Sequence, residues 1–178
     1  MKQLESTIEI HKRFKKIDKT KIKDLKEYIL ELLSSHRAQV AGNKMRIAIG
    51  TDSKFHPKKG RWSVSYGTVI AFTFGNSGTH LIMRKMMIHG EGKLSMFDRL
   101  WKEVELTVEL GQWIRENCNF EAEIHLDVNP DQQHGSNILH DAAKGYAQSF
   151  GFYAETKPDS PIASCASDHF VRNKLTLK

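Results

Sequence analysis

The sequence predicts a single α/β domain whose sheet begins as an antiparallel meander and continues with parallel strands. Three observations lead there. Short runs rich in isoleucine and valine alternate with stretches in which apolar residues return every three or four positions, the periods of strand and helix. Two of the strand-like runs are joined by Gly75-Asn76-Ser77-Gly78, a hairpin signal, while the later ones are separated by helical stretches, as parallel strands require. With 178 residues, 39% of them hydrophobic, the chain is long enough to bury one core and short for two.

Taken in order, Ile22, Leu25, Ile29, Leu32 and Leu33 recur at helical spacing between about residues 18 and 36, with lysines and glutamates on the other face, which predicts an amphipathic helix. Ala41-Gly42-Asn43 breaks it, and residues 45 to 52, MRIAIGTD, read as a buried strand. Strands follow over residues 62–74 and 79–88. The period turns helical from Ser95 to about Asn117, then residues 121 to 128, EAEIHLDV, form a second buried-strand candidate closed by a turn at Asn129-Pro130. Residues 136–150 predict a helix ended by Gly151, residues 152–156 a last short strand, and Ser160-Pro161 the N-cap and first turn of a C-terminal helix. Residues 1–42 thus read as a basic arm with an amphipathic helix, and residues 43–178 as the α/β domain.

Charge is distributed unevenly. The chain carries 27 Lys and Arg against 21 Asp and Glu, a net charge of +6, and the first 42 residues hold ten of the basic and six of the acidic groups. A basic front end attracts polyanions such as nucleic acid; a solvated helix face with a flexible arm accounts for it equally well. No apolar run approaches the roughly 20 residues of a membrane span, and MKQLESTIEIHKRFKK lacks the apolar centre of a secretory leader, which predicts a cytoplasmic protein without membrane contact. Cys118 and Cys165 are too few for a disulfide scaffold and read as free thiols.

Single carboxylates that interrupt apolar elements carry more information, because an unpaired buried carboxylate is costly and is retained with a partner, a metal or a catalytic role. Asp52 closes the first strand on the side of Ala48 and Gly50, small residues that let a helix or a substrate approach. Asp127 lies near the end of the 121–128 run, so both acids come at strand C-terminal ends, where open α/β sheets place their sites. Winding residues 95–117 at about 100° per residue puts Glu105 and Glu109 on the polar side and Glu103 among apolar neighbours. Asp168, in SCASDHF, sits near the start of the predicted last helix. The three aspartates have ordinary alternatives, turn capping at the strand ends and the helix dipole for Asp168, whereas Glu103 is the one that needs an explanation.

The succession of three antiparallel strands, helix, strand, helix, strand, helix, with acids in the order Asp, Glu, Asp, Asp, resembles the ribonuclease H-like superfamily. The segments IAIGTDSK, HLDVNP and ASCASDH look like those of its YkuK-type bacterial family. The resemblance covers about residues 43 to 178 and implies a mixed five-stranded sheet with flanking helices. It further implies a nuclease site in which Asp52, Glu103, Asp127 and Asp168 bind two Mg²⁺ or Mn²⁺ ions and phosphodiester bonds of RNA, DNA or a hybrid are hydrolysed. By the same resemblance Asp52 bridges the ions, Glu103 and Asp127 complete one site and Asp168 the other. Hard cations take oxygen ligands, and two of them neutralise charge on both the attacking and the leaving oxygen of a phosphodiester. A non-catalytic nucleic-acid-binding module and a protein-interaction scaffold on the same fold are the alternatives.

Other residues complete the expectations. Lys54, Lys58, Lys59 and Arg61 form a basic loop after Asp52, either gripping a phosphate backbone or simply solvated. His169 competes with Asp168 as a ligand but points about 100° away from it on a helix; His134 and His140 flank the helix after Asp127. A zinc site drawing on His125, Asp127, His134, His140, Cys165 or His169 lacks the usual tight pairs, and Gly90-Glu91-Gly92-Lys93 matches no phosphate-binding loop. Trp62, Trp101 and Trp113 read as core or interface residues.

Overall fold

The computed structural model describes residues 9–131 and 137–163. The first helix begins later than the periodicity suggests. Asp18 accepts a hydrogen bond from the Thr20 N–H and so makes a turn, whereas Asp24 accepts from the Glu27 N–H and caps α1 (Leu25–Ser34). Ser35 ends that helix and caps α2 (His36–Ala41), accepting from the Ala38 N–H, so a pair of short helices replaces the single expected one. Ahead of them Lys15–Lys16 forms β1, pairing antiparallel with Met83 and Ile82. Among the described residues the sheet therefore has six strands where the resemblance implied five; a two-residue edge strand of lysines leaves no periodic trace in the sequence.

Three long strands follow: β2 (Met45–Lys58), β3 (Arg61–Phe74) and β4 (Thr79–Glu91). They form the expected antiparallel meander. The basic loop expected after Asp52 is instead a continuous ladder. Lys54 pairs with Ser65 and Lys58 with Arg61, leaving a two-residue turn of Lys59 and Gly60, the latter at φ 71°, in the left-handed region that glycine enters without steric cost.

Ser95 caps α3 (Met96–Cys118) by accepting from the Asp98 N–H, and Asn119 closes it in the left-handed conformation. Next come β5 (Glu123–His125), α4 (Asn137–Ser149) and β6 (Ala154–Glu155). The strand order is β1-β4-β3-β2-β5-β6, with β5 parallel to β2 and β6 parallel to β5. The ladder at β5 is shorter than the 121–128 run, yet the Leu126 N–H bonds to Glu155 C=O and the Lys157 N–H to Val128 C=O, so the chain stays extended to Val128. The C-terminal helix expected from Ser160 lies almost wholly outside the described residues. Among those described, no helix is long and apolar enough to cross a membrane.

Alternation divides the sheet into two faces. Ile47, Ile49 and Thr51 of β2, with Ile70 and Phe72 of β3, face α3, which runs between α1 and α4 over β2 and β5. Thr107 of α3 donates to Thr51 across this layer at 2.9 Å. Ala48, Gly50 and Asp52 lie on the second face, where Val69, Ala71 and Met83 are also buried. A Cβ on Gly50 would come 2.5 Å from the backbone nitrogen of Ala163, so the chain entering its last segment rests directly on β2 beside Asp52. The small residues there do admit a close approach, by this chain's own backbone.

Candidate active site

Glu103 sits one turn after Arg99 on the sheet-facing side of α3 and is 5% exposed, while Glu105 and Glu109 are only half-buried, as the helix phase predicts. Ser53, the residue after Asp52, donates its hydroxyl proton to Glu103 Oε1 at 2.5 Å and accepts from Arg99 Nη1 at 2.6 Å. Arg99 also stands 3.6 Å from the Glu103 carboxylate. Burial pushes the Glu103 carboxyl well above its ordinary value, and the negative charge of Asp52 pushes it further; the Ser53 hydroxyl and Arg99 oppose this, and Asp127 adds to the rise. Of the four acids picked out in the sequence, Asp52 and Asp127 thus both raise the proton affinity of Glu103.

Asp52, 8% exposed, is placed by β2 opposite Gly67 of β3. Asp127 lies two residues beyond β5, where Lys157, beyond β6, approaches its Oδ1 to 2.8 Å. Asp168 falls outside the described residues, as do His169, His134 and Cys165. His140, on α4, contacts Asp141 and Thr156. Among the described residues no group of three or more His, Cys, Asp or Glu side chains converges as a metal site, which leaves the zinc reading without support there. His125 is 4% exposed, with Glu155 3.4 Å from its Nε2 and with burial lowering its pKa.

Arg99, Ser53 and Lys157 were not singled out by the sequence. The first two carry a signal after the fact: Arg99 precedes Glu103 by four residues on a helix, and Ser53 follows Asp52 on a strand. Lys157 carries none, because its approach to Asp127 arises only when β5 and β6 align.

A family model described as Ribonuclease H-like matches residues 19–172. The chain belongs to the ribonuclease H-like family. Comparison with curated proteins and with solved structures returns no match. The order β4-β3-β2-β5-β6, three antiparallel strands then two parallel ones, is the sheet expected of this ribonuclease H-like protein, with β1 added at the edge.

The donors suit a hard divalent cation in kind. Asp52, Glu103 and Asp127 offer oxygen only, and the charges of Asp52 and Asp127 add to the rise that burial gives the Glu103 carboxyl, a repulsion that a cation would offset. A cation held by these residues would supply Lewis-acid stabilisation to a bound oxyanion and a more acidic water. The chain's own groups do the rest. Arg99 and the Ser53 hydroxyl fix one Glu103 oxygen and stabilise its ionised form, while Lys157 holds Asp127 against the end of the sheet.

Proposed function

We propose that this ribonuclease H-like protein is a metal-dependent nuclease of the YkuK type, hydrolysing phosphodiester bonds of RNA, DNA or a hybrid. Asp52, Glu103, Asp127 and Asp168 serve as ligands for two Mg²⁺ or Mn²⁺ ions. The observation that carries this reading is Glu103: a carboxylate 5% exposed on α3 that meets Ser53 of β2 and lies under the charge of Asp52 and Asp127. Arg99 and Ser53 support it by anchoring that carboxylate instead of neutralising the whole cluster. A second reading, a nucleic-acid-binding module without turnover, draws on the lack of any converging ligand group among the described residues.

Incubation with end-labelled single-stranded, duplex and hybrid oligonucleotides in Mn²⁺ or Mg²⁺ separates the two. The nuclease reading expects cleavage by the wild type and a loss on the order of 10²–10³-fold in Asp52→Asn, the scale of removing one electrostatic contributor to phosphoryl transfer. Binding with no cleavage by the wild type in either metal gives the case to the second reading.

A further inference from the structure

The three long strands continue well past Asp52, and their register makes a surface that neither the fold nor the acid cluster requires. On the second face, Asp52 aligns with Gly67 and Lys85, Lys54 with Ser65 and Met87, His56 with Ser63 and His89, and Lys58 with Arg61 and Glu91. Lys54, Lys85 and Arg61 are exposed, and Lys59 is exposed in the turn. Within these rows the acids are Asp52 at the head and Glu91 at the far end, where its ion pair with Arg61 is fully solvated and contributes little. The opposite face of the same ribbon is apolar, with Phe55 beside Val64 and Ile88, and with the Trp62 ring over Gly90. Between these flanks lie Gly67, Ser65 and Ser63 of β3, all buried, with the His56 ring meeting the Ser65 hydroxyl at 3.1 Å and Met87 half-exposed on the β4 side.

We infer that this basic face of the β2-β3-β4 ribbon, from Lys85 and Lys54 to Arg61, binds the phosphate backbone of a nucleic-acid strand and leads it to Asp52. The inference rests on the nuclease reading for the meaning of Asp52, but the binding surface stands on its own charge and register. From Asp52 to Lys58 the strand advances roughly 20 Å at about 3.4 Å per residue, long enough to contact a few consecutive phosphates of one strand. Phosphate contacts of this kind carry affinity and position without reading sequence, so the surface is general for nucleic acid.

Fluorescence anisotropy of labelled 20-nucleotide strands and duplexes in EDTA, across a salt series, tests the inference without catalysis. Lys54→Glu/Lys85→Glu is compared with Lys23→Glu/Lys26→Glu, the same charge change on exposed positions of the N-terminal region. Lys54→Ala/Arg61→Ala is a second ribbon variant that leaves Lys85 in place. Both ribbon variants are expected to weaken binding by at least about tenfold and to lower the slope of log affinity against log salt by about two; the control should stay within about twofold. Equal losses in ribbon and control variants, unchanged affinity in both ribbon variants, or no binding by the wild type would overturn the inference. Cleavage assays on the same proteins keep the two ideas apart. Ribbon-dependent binding without cleavage sinks the nuclease and leaves the surface, whereas undiminished cleavage and binding in the ribbon variants sinks the surface and leaves the nuclease.

Discussion

Glu103 is the residue on which most depends. Its carboxyl is raised by burial first and by Asp52 next, so the folded state binds its proton more tightly than the unfolded chain does. The stabilisation from that proton is fully present below the unfolded value, about 4.3, and is lost as pH rises through the higher folded value. The metal-free protein should therefore become less stable to urea as pH climbs from about 5 toward 8, and Glu103→Gln should flatten that dependence and be the more stable protein at the alkaline end. Titration with Mn²⁺ should raise the melting temperature of the wild type and raise that of Glu103→Gln less, by the logic of a ligand that binds only the folded state. Identical pH profiles for the two proteins would contradict the burial argument. Glu103 was legible because one helix phase put it among Leu100, Val104 and Leu110. Its anchors were not, since Ser53 and Arg99 come from different elements that meet only when α3 lies over β2.

At the scale of elements, Gly50 shows how tightly the site end of β2 is enclosed. An added Cβ would sit 2.5 Å from Ala163 N and 2.7 Å from Ala163 Cα, and backbone atoms do not rotate aside as a side chain does. Gly50→Ala should cost roughly 1–3 kcal/mol, the usual range for overpacking, or displace residues 161–163. Urea unfolding measures the first outcome, and protease sensitivity near residue 163 the second; a variant as stable and as resistant as the wild type would mean the contact is not made. The elements themselves were unequally readable. α3 was legible at both ends: the period read from Ser95 to about Asn117, and the helix runs Met96–Cys118. β2 did not, because residues 53–58 stay in the ladder while one face turns basic and solvated, and the apolar run used to recognise the strand stops at Asp52. The lysine-rich lead into α1 mimicked helix until two aspartates, one making a turn and one a cap, divided it.

For the molecule as a whole, the front end that carries most of the +6 charge is also part of the core. Phe14 is 1% exposed and Ile10 9%, both in the same cluster as Ile47 and Leu106. Arg84 of β4 donates to the Ile10 carbonyl at 2.6 Å and lies over the Phe14 ring, and its burial lowers its pKa to about 10. A guanidinium buried this deeply is costly, and the Ile10 carbonyl and Phe14 ring that offset the cost both come from the arm, so the arm and the sheet should unfold together. Phe14→Ala is accordingly expected to cost about 3–5 kcal/mol in urea denaturation while keeping one cooperative transition, whereas replacing exposed Lys23 should change stability by under about 0.5 kcal/mol. Deleting the first 20 residues, the natural test of an arm as a nucleic-acid tether, would remove Phe14 and β1 as well and lower affinity by destabilising the sheet. Charge substitutions at exposed arm lysines are the cleaner test. If Phe14→Ala instead leaves the midpoint unchanged, the first strand is a detachable tail, and the basic excess returns to being a property of the arm alone.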